Sequence, residues 1–366
     1  MIDVIVARAF TIPTGFDKPD GEPESDGTLT WDATTIVVVE AQAAGRTGLG
    51  YTYAHHGAAS LISGKLAPTV VGRDALDVGG AWAAMWREVR NLGQSGLAAM
   101  AVSAVDTALW DLKARLLDVP LVVALDAVHD RVPVYGSGGF CNYSDQQLAD
   151  QLDGWVGAGL TRVKIKTGRE PERDEQRLQV ARGVVGDDVA LFVDANGAFT
   201  RAEAERWAQV YGRHGVTWFE EPVTSDDLPG LRAVRERAPV GLEVAAGEYA
   251  WSLPLVHALL AADAVDCLQR DVTRCGGISG FRRAAALSEA RSLDVSAHCA
   301  PQLSAHACTS VWKLRHLEYF HDHRLVEDLL FDGCLEPIDG ALVPDRTRPG
   351  HGLALKEAAA EEWRVS

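Results

Sequence analysis

The sequence has few cysteines and no stretch apolar enough to cross a membrane. Its six cysteines include no C-x-x-C pair, and in a chain of this length we expect them to be reduced, mostly buried thiols. No run approaches the roughly 18 apolar residues that a membrane span needs. The N-terminus also lacks the basic and apolar segments of a secretory signal. We therefore expect a cytoplasmic protein that does not enter membranes.

Basic residues are scarce as well. The 366 residues contain 35 Lys and Arg against 51 Asp and Glu, a formal net charge of -16. Nucleic acids and anionic membrane surfaces require basic faces, so neither partner is expected. A small anionic substrate remains compatible, because a local cluster of lysines and a metal ion can override the distant field. The length allows two domains, or one barrel with an addition.

The first part of the chain predicts a small α+β domain that ends near Asp126. Ile2–Ile12 alternates in polarity and is predicted to be a strand, and Thr34–Gln42 (TTIVVVEAQ) is expected to be its antiparallel partner. Between them, Pro13–Thr30 is polar, long and rich in Gly and Pro, which favours a lid over a passive loop.

Two further segments belong to this domain. Gly48–Gly57 (GLGYTYAHHG) is interpreted as a second loop, with tyrosines and histidines as polar groups. Leu61–Leu117 is predicted to be mainly helical, because Val102, Val105 and Leu109 recur on one face.

From Val132 the pattern changes to short β-rich runs separated by helical stretches. The repeat of roughly 20–30 residues is that of one β–α unit, and eight such units close a (β/α)₈ barrel. The eight runs are VPVYGSGGF, RVKIKTG, ALFVDANGA, VTWFEEP, LEVAAGE, VDCLQRDV, LDVSAHCAP and RHLEYF. The closing stretch, Asp332–Ser366, is expected to return to the N-terminal domain.

Two lysines lie two residues apart in the second run. On a strand, Lys164 and Lys166 would point to the same face. Two adjacent ammonium groups repel, and this crowding lowers the pKa of a lysine toward the range in which it acts as a base. The pattern is equally compatible with a structural strand whose lysines pair with nearby carboxylates.

Acidic side chains end three successive strands of the predicted barrel: Asp194, Glu220 and Glu248. The active site of such a barrel lies at the carboxyl ends of its strands, and three carboxylates gathered there cannot all stay ionised without a cation. Oxygen ligands select Mg²⁺ over zinc. The alternative interpretation is that these acids pair with Lys and Arg side chains.

Asp271 and His298 end the sixth and seventh strands, so they are neighbours by topology. A carboxylate beside an imidazole fixes its tautomer and raises its basicity. A substrate bound to the metal would meet Lys166 on one face and His298 on the other. This arrangement suits removal of the proton next to a carboxylate, with the metal and Lys164 stabilising the enediolate. Glu318, if protonated, could donate a hydrogen bond to the second oxygen.

As a set, these motifs resemble the enolase superfamily, and its mandelate racemase subgroup in particular, over nearly the whole chain. Ser103–Ala114 (SAVDTALWDLKA) also looks like the helix that precedes the barrel in this family. The resemblance implies an α/β fold, a modified (β/α)₇β TIM-type barrel with an α+β N-terminal capping domain completed by the C-terminal segment. The expected domains are residues 1–126, 127–330 and 331–366.

The resemblance also implies roles for individual residues, one Mg²⁺ per subunit and a homo-oligomer, either a dimer or an octamer. The implied catalytic residues are Lys166, His298, Asp271, Lys164 and Glu318. The implied metal ligands are Asp194, Glu220 and Glu248. Because the two N-terminal loops cover the site in this family, the expected substrate contacts are Lys164, Asn196, Glu318, Lys18, Tyr53 and His55.

The lid is polar, whereas a mandelate-like phenyl ring would require an apolar pocket. We therefore expect a polyhydroxy acid as substrate and an acid-sugar dehydratase that yields a 2-keto-3-deoxy acid. Two alternatives share the first half-reaction: a racemase or epimerase of a 2-hydroxy acid, and a cycloisomerase of a sugar lactone.

Other classes are less favoured by the sequence. A Schiff-base enzyme with Lys166 as nucleophile does not explain three carboxylates arranged for a metal. A non-catalytic barrel is expected to have lost at least one of the strand-end groups. Zinc at His298, Cys299, His306 and Cys308 conflicts with spacing, because adjacent residues on a strand point to opposite faces.

Overall fold

The computed structural model describes residues 1–16 and 21–365 of the chain. Its strands are β1 Val4–Pro13, β2 Glu24–Ser25, β3 Thr30–Trp31, β4 Ala33–Ala43, β5 Arg46–Tyr53, β6 Val132–Gly138, β7 Arg162–Lys166, β8 Ala190–Asp194, β9 Val216–Glu220, β10 Glu243–Ala246, β11 Cys267–Arg270, β12 Asp294–Ala297, β13 Leu314–Phe320, β14 Phe331–Asp332, β15 Ala341–Leu342 and β16 Ala354–Leu355.

The α-helices are α1 Gly57–Leu61, α2 Ala67–Val70, α3 Val78–Glu88, α4 Leu97–Leu116, α5 Leu121–Ala124, α6 Asp145–Gly157, α7 Pro171–Val185, α8 Arg201–Arg213, α9 Leu228–Arg237, α10 Leu253–Ala261, α11 Gly277–Glu289, α12 Pro301–Cys308, α13 His321–Leu330 and α14 Glu357–Glu361. Helices α1 to α5 follow one another between β5 and β6, and from β6 to β13 each strand is followed by one α-helix. None of the helices described is long and apolar enough to cross a membrane.

The N-terminal part is a three-stranded antiparallel sheet, β1-β4-β5, packed against α4. The prediction of a loop at Gly48–Gly57 is wrong over most of its length, because β5 continues to Tyr53. Gly48 and Gly50 face α4 so closely that a Cβ on either would overlap its backbone. These glycines therefore permit close helix–sheet packing and do not mark a turn.

The barrel predicted from the eight β-rich runs is confirmed. Strands β6 to β13 lie side by side in sequence order, all parallel, and β13 pairs with β6 to close the ring. Inside it, the rings of Tyr135, Phe192 and Trp218 form an apolar layer. This layer fills the barrel interior, so the polar strand ends above it form the floor of a mouth.

The C-terminal segment returns to the N-terminal part, as predicted. Phe10 of β1 forms a bridge with Arg364, and Val365 N donates to Ala9 O. Strand β15, by contrast, pairs antiparallel with β6 of the barrel. The division at residues 126 and 330 stays a prediction.

The cap is fixed over the barrel mouth by specific polar contacts. Cys141 N donates to Ser25 O at 2.7 Å, and Arg169 Nη2 donates to Thr30 Oγ1 at 2.6 Å. On the other side, Glu327 of α13 accepts a 2.6 Å hydrogen bond from the Tyr51 hydroxyl. The segment Pro13–Thr30, as far as it is described, therefore lies against the loops that follow β6 and β7.

Candidate active site and metal centre

The strand ends bring the predicted site residues into one buried cluster at the barrel mouth. All have a relative exposure of 6% or less. They are Lys164 and Lys166 on β7, Asp194 on β8, Glu220 on β9, Glu248 after β10, Asp271 after β11, His298 after β12 and Glu318 on β13. In the ring, the strands that carry the three carboxylates lie between the lysine strand and the strands of Asp271 and His298.

Both lysines are ion-paired with the strand-end acids. Lys166 Nζ lies 2.6 Å from Asp194 Oδ2. Lys164 Nζ lies 2.6 Å from Glu220 Oε1, 2.7 Å from Glu318 Oε1 and 3.6 Å from Asp194 Oδ2. Lys166, Asp194 and Glu220 also occupy one level of the sheet, because they are register partners across β7, β8 and β9.

The prediction that crowding lowers the lysine pKa values is wrong for this structure. Burial lowers the pKa of each lysine, but carboxylate charges outweigh it. Glu220, Glu318 and Asp194 raise the pKa of Lys164 well above its usual range, and Asp194 has the same effect on the pKa of Lys166. Both side chains are therefore ammonium groups here. The nearby carboxylates raise each lysine pKa by more than the neighbouring ammonium group lowers it.

The expectation of a protonated Glu318 is also wrong here. Burial alone would raise its pKa, but the ammonium groups of Lys164 and Lys166 and the ring of His298 hold the pKa of Glu318 well below its usual range. Its Oε1 instead accepts a 2.6 Å hydrogen bond from Ser137 Oγ. Glu318 is an ionised acceptor that anchors Lys164.

His298 and Asp271 form the dyad that the topology predicted. Nδ1 of His298 lies 2.7 Å from Asp271 Oδ2, and Oδ1 of Asp271 accepts from Thr273 N and Oγ1. Burial lowers the pKa of His298, but the carboxylates of Glu248, Glu318 and Asp271 raise it well above its usual range. The ring is therefore an imidazolium held in one orientation, with Nε2 directed into the cluster.

Arg274 is a site residue that the sequence analysis missed. Its Nη1 donates to Glu248 Oε1 at 2.8 Å, and its Nε lies 3.4 Å from Asp271 Oδ2. Arg274 thus links the third strand-end carboxylate to the histidine dyad. The sequence Asp271–Arg274 (DVTR) could have predicted this residue. A turn directly after β11 brings the guanidinium of Arg274 back to the carboxylate of Asp271, three residues earlier.

The carboxylates of β8 to β10 suit a hard divalent cation. Burial and the charge of Asp194 raise the pKa of Glu220 to about 8. Burial and the charges of Glu248 and Asp194 likewise raise the pKa of Glu221 well above its usual range. Oε2 of Glu248 lies 3.1 Å from His298 Nε2.

Burial raises the pKa of Glu248, but the charges of His298 and Arg274 hold it well below its usual range. Buried carboxylate oxygens are ligands that fit Mg²⁺. The alternative of pairing with basic side chains is also visible, because Asp194, Glu220 and Glu248 each contact a lysine or an arginine.

The position of Cys299 shows that the spacing argument against zinc was wrong for His298 and Cys299. Strand β12 ends at Ala297, and Cys299 and Ala300 adopt φ values of 49° and 44°. The chain therefore turns instead of continuing the strand alternation, and Cys299 Sγ lies 3.2 Å from His298 Nε2. His306, by contrast, is occupied by the carbonyl of Gln302 on α12.

The predicted substrate contacts outside the strand ends differ in position. The Tyr53 hydroxyl donates to Glu327 Oε1 at 3.2 Å, within the junction between cap and barrel. His55 is exposed, and Asn196 lies two residues after Asp194, with its N–H donating to that carboxylate. Lys18 lies outside the described residues.

A cavity of about 350 Å³ adjoins the lysine side of the cluster. Its lining includes Trp31, Tyr53, His55 and Phe320, and the Phe320 ring lies 5.8 Å from Lys166 Nζ. Phe320 thus connects the wall of this cavity with the lysine strand.

Models of known protein families match two segments of the chain. Residues 17–125 match the N-terminal domain of mandelate racemase and muconate lactonizing enzyme, and residues 147–359 match the enolase C-terminal domain-like family. The chain belongs to the mandelate racemase/muconate lactonizing enzyme family of the enolase superfamily. The resemblance inferred from the motifs is confirmed, and so is the prediction of a superfamily enzyme.

A relative in Streptomyces coelicolor, a 3,6-anhydro-alpha-L-galactonate cycloisomerase, is 34% identical over 97% of both chains. Among solved structures, a mandelate racemase/muconate lactonizing enzyme-like protein from Rubrobacter xylanophilus is 52% identical, covers 100% of this chain and 99% of its own, and gives a TM-score of 0.96.

The L-talarate/galactarate dehydratase from Salmonella typhimurium LT2, liganded with Mg and L-lyxarohydroxamate, is 26% identical with a TM-score of 0.89, covering 100% and 93% of the two chains. The prediction of a magnesium cofactor is thereby confirmed for the family.

Proposed function

We propose that this protein is a Mg²⁺-dependent dehydratase of a polyhydroxy acid. The observation that carries the proposal is the placement of a lysine and a histidine–aspartate dyad on either side of three buried carboxylates. A carboxylate substrate held at those acids would be flanked by two groups able to transfer protons.

Asp194, Glu220 and Glu248 would hold the ion. When bound, Mg²⁺ supplies the positive charge that offsets these acids and stabilises the oxyanions of an enediolate. Lys164 lies beside Glu220 and Glu318 with its ammonium buried, so it would bind the substrate carboxylate and add to that stabilisation.

Lys166 and His298 would divide the proton transfers. Lys166, once it has released its own proton, would take the hydrogen from the α-carbon, and the electron pair would pass into the enediolate. His298, an imidazolium in this structure, would give its Nε2 proton to the β-hydroxyl as the carbon–oxygen bond breaks. Water leaves, and the enol becomes a 2-keto-3-deoxy acid. Asp271 would orient the ring and stabilise its charge.

The lining of the cap favours a hydroxylated substrate. Besides aromatic rings, the cavity beside Lys166 is lined by Thr34, Thr35, His55 and Asp322. These groups can bind hydroxyls, whereas a plain phenyl ring offers them no hydrogen-bond partner. The solved dehydratase relative, crystallised with an acid-sugar analogue, supports the same substrate class.

A second candidate, a cycloisomerase of an anhydro- or lactone-type sugar acid, shares the enediolate chemistry. It is favoured by the full-length relative that is 34% identical. It differs only in the leaving group, because an internal oxygen would depart in place of water.

The test is incubation of the full chain with Mg²⁺ and panels of aldonates, aldarates and their anhydro or lactone forms, followed by NMR in D₂O. The proposal expects a 2-keto-3-deoxy product from at least one open-chain acid. Exchange of the α-hydrogen without elimination would overturn the dehydratase assignment in favour of a racemase or epimerase. Conversion restricted to the anhydro or lactone panel would establish the cycloisomerase instead.

A further inference from the structure

Three chemically different ligand atoms face one another beside the magnesium centre. His298 Nε2 lies 3.2 Å from Cys299 Sγ, and that sulfur lies 3.3 Å from Glu318 Oε2. The third edge, from Nε2 to Oε2, is 3.7 Å. The three side chains are 6%, 3% and 0% exposed.

These three interatomic distances match those between three ligand atoms of a tetrahedral zinc ion. Tetrahedral zinc with bonds of about 2.0 Å to nitrogen and oxygen and about 2.3 Å to sulfur requires edges of about 3.5 Å to the sulfur and about 3.3 Å between the other two atoms. Each observed edge differs from its ideal value by about 0.4 Å or less. A small adjustment of side-chain torsions would therefore suffice to surround an ion.

The backbone holds the sulfur in this position. Cys299 lies in the left-handed region at φ 49°, a conformation that a non-glycine residue keeps only where its surroundings impose it. Its N–H donates to Glu318 Oε2 at 3.2 Å, and its carbonyl accepts from Ser304 Oγ at 2.8 Å. The next N–H, that of Ala300, donates to His323 Nδ1. The trio is therefore preorganised and does not depend on a flexible side chain.

The donor set separates this triangle from the carboxylate site. Mg²⁺ requires oxygen ligands, whereas one imidazole, one thiolate and one carboxylate form a typical zinc set with a fourth position left for water or substrate. Glu248 and Asp271 beside His298 add negative charge that favours a dication. The Lys164 ammonium, 2.7 Å from the other oxygen of Glu318, opposes it.

We propose that His298, Cys299 and Glu318 form a second metal site that binds Zn²⁺. The ion replaces the proton on His298 Nε2 and the proton of the Cys299 thiol, and both protons pass to solvent. Because it occupies the nitrogen assigned to the acid step, bound zinc would block turnover, a consequence that rests on the proposed function. Binding itself does not depend on that function.

The experiment uses Co²⁺ as a spectroscopic substitute for zinc on the full chain, with Mg²⁺ saturating. We expect one Co²⁺ per chain with a thiolate-to-cobalt charge-transfer band, and Zn²⁺ should bleach that band. Cys299→Ser should remove the band and weaken zinc binding by at least about tenfold, since losing even an outer partner of a metal ligand costs about that much. Cys334→Ser, which removes a thiol that donates to the backbone carbonyls of Glu327 and Phe331, should keep the band.

Absence of the band in the unaltered protein, or its persistence in Cys299→Ser, would overturn the proposal. So would an equal loss in Cys334→Ser. If Cys299→Ser does not fold, Cys299→Ala is measured in its place and should also lack the band. The proposed function is tested independently, by product formation with Mg²⁺ alone, without cobalt or zinc.

Discussion

Glu327 makes the stability of the junction between cap and barrel depend on pH. The side chain is fully buried and accepts hydrogen bonds from the Tyr51 and Tyr53 hydroxyls and from Gln302 N. Burial raises the pKa of Glu327 from 4.5 to about 8, although these hydrogen bonds partly oppose the shift. The carboxyl is therefore neutral in the folded protein near neutral pH but ionised in the unfolded chain.

The sign of the effect follows from that difference. An acid whose pKa is raised by folding contributes its full stability below the unfolded pKa and loses it as pH rises through the folded pKa. At about 1.36 kcal/mol per pKa unit, the loss for Glu327 is about 2 kcal/mol between about pH 6 and about pH 8. An unfolding entropy of about 2.1 cal/mol/K per residue converts this into a fall of about 3 °C in Tm for a chain of 366 residues.

Glu327→Gln removes the titration. Its amide also places a donor against Gln302 N–H, which costs about 1–3 kcal/mol at every pH. We therefore expect the Tm of the variant to rise relative to that of the parent by about 3 °C from about pH 6 to about pH 8. Thermal unfolding followed by circular dichroism measures the difference between the two Tm values. Glu362→Gln, at an exposed position, is the control and should track the parent. If the Tm of the variant stays constant or falls relative to that of the parent over this range, Glu327 does not titrate as described.

Two further predictions concern packing and catalysis. Gly50→Ala places a methyl group against the backbone of α4 and should lower the free energy of unfolding by about 1–3 kcal/mol. Gly64→Ala, where the added Cβ meets open space, should not. His298→Asn should lower dehydration by about 10²–10⁴-fold yet leave α-hydrogen exchange with D₂O, whereas Lys166→Met should abolish both. Dehydration retained by His298→Asn, or unchanged unfolding of Gly50→Ala, would contradict these predictions.

The barrel was predictable because its signals are local. Each of the eight runs is short, rich in β-formers and followed by a helical stretch, so the order of strands followed from topology alone. The same rule placed Asp194, Glu220 and His298 at the mouth, because the residue that ends a parallel strand has no other location.

The failures of prediction have non-local causes. Gly48 and Gly50 were interpreted as loop residues because the helix that they pack against lies about 60 residues later, in α4. The lysine pKa values depend on how many carboxylates surround each ammonium group. The spacing of Lys164 and Lys166 in the sequence does not show that number. Cys299 was assigned to the wrong face because strand alternation was extended past the end of β12, where the backbone turns left-handed.

Binding of Mg²⁺, measured by isothermal titration calorimetry without substrate, tests the metal centre directly. We expect one ion per chain for the unaltered protein, and binding weakened by at least about tenfold in Glu248→Gln. Glu362→Gln should bind as the parent does. Failure of the parent to bind Mg²⁺, or unchanged binding by Glu248→Gln, would contradict a magnesium centre built on the three strand-end carboxylates.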